Sequence, residues 1–163
     1  MKQLSIFSNI TDCSQKSNFE LYVDGASRNN PGLSGAGIYI TKNKEDFLKT
    51  GCYLGIKTNN QAEYLALLLG LLFISKYIKT EDQLEIISDS ELLVRQISGQ
   101  YKISNPELKK LYIHIKEILD NLNYKIRHVL RNNNQTADKL ANQAIDQKID
   151  IPLDLKEKLK FTI

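Results

Sequence analysis

Apolar and polar positions alternate from Phe19 to Asp24 (FELYVD) and predict a first strand. The Asp24-Gly25 pair, followed by Asn29, Asn30, Pro31 and Gly32, then reads as a turn. Two more β-type runs, Gly35 to Thr41 and Phe47 to Lys57, are joined by the polar residues 42 to 46, and such short connections predict an antiparallel meander. The pattern then changes period. Asn60 to Tyr77 carries leucines around nearly its whole circumference and predicts a helix inside the core. Leu84 to Asp89 (LEIISD) reads as a fourth strand, Ser90 to Ser98 as a short helix, and Asn105 to Leu122 as a longer one with apolar residues at helical spacing. Tyr124 to Leu130 completes the strands and Gln135 to Gln147 the helices, giving the order βββαβααβα. Residues 1–18 read as a polar lead with one apolar patch from Leu4 to Phe7, residues 19–147 as the domain, and residues 148–163 as a tail.

A chain of 163 residues, 42% hydrophobic and 25% charged, has the size and composition of one globular domain and excludes disordered or collagen-like classes. The longest apolar run, Leu65 to Ile74, is about half of what a bilayer crossing needs, so no membrane span is expected. The N-terminus offers too short an apolar stretch for a secretory signal, and a cytoplasmic location is expected. Cys13 and Cys52 lie far apart with no neighbouring His or Cys, so neither zinc spacing nor a disulfide framework is suggested. The net charge of +3 decides nothing alone. From Leu92 to Arg131, however, eight Lys or Arg residues face three acids, a distribution that fits either a solvated helix face or a nucleic-acid footprint.

Four acids have ordinary explanations taken singly. Asp24 suits a turn, Glu63 a capping box begun at Asn60, Asp89 a helix cap, and Asp138 the first turn of the last helix. Their joint placement points elsewhere. A strand–helix–strand crossover puts the first and fourth strands side by side, about 4.8 Å apart, so Asp24 and Asp89 share one sheet edge. Open α/β sheets place their ligands outside the carboxyl ends of parallel strands, and the helices that begin near Glu63 and Asp138 can pack across that edge. Clustered carboxylates repel one another unless a cation lies between them, and an all-oxygen donor set favours Mg²⁺ or Mn²⁺. Two such ions about 4 Å apart suit phosphodiester cleavage.

The residues that carry this pattern form extended motifs: Asp24-Gly25-Ala26-Ser27-Arg28-Asn29-Asn30-Pro31-Gly32, Thr58-Asn59-Asn60-Gln61-Ala62-Glu63-Tyr64, Ser88-Asp89-Ser90-Glu91-Leu92, and His128-Val129-Leu130-Arg131 with Asn134 and Ala137-Asp138-Lys139-Leu140-Ala141-Asn142. Together they resemble ribonuclease H of type 1, in its archaeal and plant-like branch, over roughly residues 19–145. The resemblance implies an α/β fold with a five-stranded mixed sheet of order 3-2-1-4-5 flanked by helices. It also implies cleavage of the RNA strand of an RNA/DNA hybrid, leaving 5′-phosphate and 3′-hydroxyl ends, with two Mg²⁺ or Mn²⁺ ions on Asp24, Glu63, Asp89 and Asp138. By the same resemblance, the Gly25, Ala26, Ser27 and Arg28 backbone and Ser90 lie near the RNA strand, and Asn59 and Asn60 reach the minor groove to read the 2′-hydroxyl. Thr58, Ser104 and Asn105 then hold a DNA phosphate, and Arg131 and Asn134 are placed to touch phosphate.

Some features depart from the bacterial members of that family. The loop before Asp138 holds Asn132, Asn133 and Asn134 but no histidine, while His128 falls inside a predicted strand and reads as structural. The chain lacks Trp, so an aromatic platform for the DNA strand is absent or supplied by Tyr101. Glu91 brings negative charge close to the expected groove. A monomer acting on hybrids is expected. The competing readings are a broader nuclease that accepts double-stranded RNA and a non-catalytic nucleic-acid-binding module.

Overall fold

The computed structural model describes residues 15–160. The chain forms β1 (Asn18–Arg28), β2 (Gly32–Lys42), β3 (Glu45–Lys57), α1 (Asn59–Ile74), β4 (Gln83–Ser88), α2 (Glu91–Ile97), α3 (Pro106–Leu119), β5 (Asn123–His128), α4 (Gln135–Gln147) and α5 (Leu153–Leu159), with a 3-10 turn at Arg131–Asn133. One five-stranded sheet runs in the order β3-β2-β1-β4-β5. The hairpin-connected pairs β1–β2 and β2–β3 are antiparallel, and β1–β4 and β4–β5 are parallel, as a helical crossover requires. The expected fold and strand order are therefore observed.

The sheet holds its two helical layers by different chemistry. On one face Leu21 and Val23 of β1 meet α1, which is buried almost all round because α3 covers its outer side with Leu108, Leu111, Ile115 and Leu119. At about 2 kcal/mol per fully buried leucine, this layer supplies most of the hydrophobic stabilisation. On the other face α4 lies close against β2 and β3 because glycines remove the side chains in its way. A Cβ on Gly37 would sit 1.8 Å from the Ala137 carbonyl oxygen, and one on Gly51 2.4 Å from that of Leu140.

Asp24-Gly25 is not a turn. β1 continues to Arg28, Asp24 pairs with Gly37 of β2, and the chain reverses over Asn29–Pro31, with Asn29 at φ 93°. Glycine is needed at position 25 for a long-range reason: a Cβ there would lie 2.2 Å from the Ala62 carbonyl carbon, so its absence lets α1 approach the strand. The region read as a tail also contributes to the core. Leu155 and Leu159, one helical turn apart on α5, are buried within it, and Lys76 pairs with Asp154 at 2.5 Å. Cys52 is buried, which pushes its thiol up to about 11 and leaves it an unreactive core residue. Cys13 and the apolar patch from Leu4 to Phe7 lie outside the described residues. Among the described residues no helix is long and apolar enough to cross a membrane.

Candidate active site

The parallel pairing of β1 with β4 ends at Val23 opposite Ser88, so the next residue of each strand, Asp24 and Asp89, emerges at the same sheet edge. Glu63 reaches that edge from the second turn of α1. It is free to do so because the capping box of α1 is made by Thr58 and Gln61, whose side chains bond each other's backbone N–H groups at 3.1 and 2.9 Å. Asp89 is likewise not a cap: Ser90 caps α2 by accepting from the Leu93 N–H at 3.2 Å. Ordinary helix chemistry thus falls to neighbouring residues and leaves these acids to one another. One carboxylate oxygen each of Asp24, Glu63 and Asp89 lies within 4.8 Å of the others.

Asp24 is 5% and Glu63 6% exposed. Burial pushes the Asp24 carboxyl well above the usual carboxylate range, and Glu63, Asp89 and Asp138 raise it further. Glu63 moves the same way, through burial and then the charge of Asp89, against the opposing pull of the Gly25 N–H, which donates to its Oε2 at 3.1 Å. Asp138 stands on the first turn of α4 on the wall of the same cleft, which encloses about 500 Å³. Its Oδ1 lies 3.6 Å from Arg131 Nη2. The structure therefore joins three of the four acids at one point and sets the fourth beside them with a cation. An all-carboxylate donor set, with Asp24 and Glu63 held above their ordinary range, fits a hard divalent cation.

The residues expected to contact nucleic acid separate into two groups. Gly25, Ala26, Ser27, Arg28, Asn59, Ser90 and Arg131 line the cleft. Arg28 is bonded to Asp146 at 2.5 Å, and Ser27 Oγ donates to the Lys57 carbonyl at 3.0 Å. Thr58, Asn60, Ser104 and Asn105 lie outside its lining. The Thr58 hydroxyl is engaged in the α1 cap, while Asn105 caps α3 by accepting from the Glu107 and Leu108 N–H groups at 2.9 and 3.2 Å. Asn60 and Ser104 are exposed. Asn134 departs from its expected role, because it is 2% exposed and its Nδ2 donates inward to the Val23 carbonyl at 2.9 Å. A side chain so enclosed does not face phosphate.

His128 ends β5 with its ring Nε2 3.2 Å from the Asp89 carbonyl oxygen, a structural contact next to an acid. Glu91 is paired with Arg95 at 2.8 Å, which offsets its charge, and the Arg95 guanidinium also lies 5.3 Å from the centre of the half-exposed Tyr101 ring. Sequence reasoning missed Asn142, which lines the cleft and donates from Nδ2 to the Asp138 carbonyl at 3.0 Å. Its signal was the spacing of four from Asp138 on one helix.

The profile of the family described as "Reverse transcriptase-like" matches residues 22–144. Ribonuclease HI of Halobacterium salinarum is 35% identical over 77% of this chain and 63% of its own length. The bifunctional protein Rv2228c of Mycobacterium tuberculosis is 37% identical over 76% of this chain and 34% of its own. The chain thus spans less than two thirds of either relative. Coxiella burnetii ribonuclease H is 30% identical, with 89% of its length covered. Among solved structures, RNase H1 of Halobacterium salinarum superposes with a TM-score of 0.76 at 33% identity, covering 80% of this chain and 98% of that one. LC11-RNase H1 in complex with an RNA/DNA hybrid gives a TM-score of 0.72 at 36% identity, covering 82% and 99%. With the sheet order, the converging acids and these likenesses in agreement, the chain belongs to the ribonuclease HI family.

Proposed function

We propose that this protein is a divalent-metal-dependent endoribonuclease that hydrolyses the RNA strand of RNA/DNA hybrids, leaving 5′-phosphate and 3′-hydroxyl ends. The observation that carries this reading is the convergence of the Asp24, Glu63 and Asp89 carboxylates within 4.8 Å at the sheet edge where α/β folds bind ligands. Asp24, Glu63 and Asp89 would hold Mg²⁺ or Mn²⁺, with Asp138 completing a two-ion site. When bound, such ions supply Lewis-acid activation of an attacking water and neutralise charge at the scissile phosphate.

The protein's own groups supply position. The Gly25 N–H keeps Glu63 turned toward Asp24. Ala26, Ser27 and Asn59 line the cleft where the RNA strand would run, and an asparagine amide can both donate to and accept from a 2′-hydroxyl. Arg131, exposed beside Asp138, offers a guanidinium to a phosphate oxygen. The exposed amide of Asn60 would extend the minor-groove contact beyond the cleft.

Cleavage of an end-labelled RNA/DNA hybrid in Mg²⁺, Mn²⁺ or EDTA, with duplex RNA as competitor and Asp89→Asn in parallel, tests the proposal. It requires metal-dependent hybrid cleavage that the substitution abolishes. No cleavage by the folded protein with either metal would replace it with a binding module, and equal cleavage of duplex RNA would broaden the substrate.

A further inference from the structure

Asn134 occupies the residue before α4, where an asparagine ordinarily accepts a hydrogen bond from an N–H of the first helical turn. Here the side chain makes no capping bond. It is buried against the sheet, with Nδ2 bonded to the Val23 carbonyl at 2.9 Å and Oδ1 left enclosed without a partner. An uncapped helix start and an unpartnered buried amide oxygen both oppose stability. Two such costs at one residue indicate that the bond to Val23 serves position.

What Asn134 joins makes that meaning specific. Val23 is the last residue of β1 paired with β4, and its carbonyl belongs to the peptide that leads into Asp24. The Asn134 carbonyl accepts from the Asp138 N–H at 3.1 Å. One residue thus grips, by its side chain, the strand end that presents Asp24 and, by its main chain, the helical turn that presents Asp138. Arg28 also ties β1 to α4, through Asp146 and the Asn142 carbonyl, but that link is exposed and lies further along the helix.

We propose that Asn134 is a positioning residue that fixes Asp24 relative to Asp138 and thereby sets the divalent-ion affinity of the cluster, an inference that rests on reading the cluster as a metal site. Asn134→Ser separates this role from helix capping, because serine caps well but is too short to reach the Val23 carbonyl. Titration calorimetry of the full chain with MnCl₂ at pH 7, together with its melting temperature, gives a readout independent of cleavage. Mn²⁺ binding by Asn134→Ser should weaken about tenfold or more, as when other groups that orient metal ligands are lost. Its melting temperature should stay within about 3 °C of wild type. Asn134→Thr, also a capping residue, is read in the same way should the serine variant fail to fold. Wild-type Mn²⁺ affinity in a folded variant would overturn the proposal and leave the metal site standing. Absence of Mn²⁺ binding by the wild type would remove the metal site and the positioning role together.

Discussion

Glu20 and Asp24 lie on the same face of β1, four residues apart, and their surroundings drive them in opposite directions. Burial raises the Glu20 carboxyl, but hydrogen bonds from Lys44, Tyr22 and Thr41 outweigh it and hold the group below its ordinary range. Asp24, buried further along, meets Glu63, Asp89 and Asp138 and is held far above that range. One end of the strand gives its acid a cation and hydroxyl donors, and the other gives its acid more acids. The first arrangement is complete within the chain. The second leaves its acids facing one another, the kind of site a cation would complete, and burial with like charge is what marks a carboxylate as a candidate for function.

The largest break in this contrast should come from Asp24→Asn, which is expected to lower hybrid cleavage at least about 1000-fold, because groups that act as a unit fail together. Single-turnover cleavage at saturating Mg²⁺ measures it. Gly25→Ala should follow, destabilising the fold by about 3 kcal/mol in urea unfolding, since its Cβ has only the backbone of Ala62 and Glu63 to displace. A smaller effect of opposite sign is expected for Asp24→Asn in metal-free buffer. Removing one of the mutually repelling acids should raise unfolding stability by about 1–2 kcal/mol at pH 8. Smallest is Glu20→Gln, expected to cost about 1 kcal/mol at pH 7 and to leave hybrid cleavage at the wild-type rate. Because its folded pKa is lowered, that loss should be present above the ordinary carboxylate range and vanish as the pH falls through the folded value.

The parts of this molecule written in local periodicity could be read from the sequence. The leucines of α1 announce a core helix and the alternation in β1 a strand, and the placement of Asp24 and Asp89 at adjacent strand ends is legible in the sequence. What could not be read depends on distant packing. Gly25 looks like a turn residue until Ala62 is known to press against it, and Asn134 looks like a surface polar residue until α4 is laid on Val23. The expected capping of α1 from Asn60 failed for a local reason, because Thr58 and Gln61 form the better box two residues earlier. The helix α5 was missed because two leucines make too short a pattern to stand out.

The central claim is that the Asp24 cluster is an acid site completed by a divalent cation, and the melting temperature with and without Mg²⁺ at pH 5 and pH 8 tests it most directly. Carboxyl groups whose folded pKa is raised bind protons more tightly in the folded state. The metal-free protein should therefore lose stability as the pH rises from about 4 through the neutral range. Mg²⁺, competing with those protons, should raise the melting temperature more at pH 8 than at pH 5. A gain that is absent at both pH values, or larger at pH 5, would contradict the account.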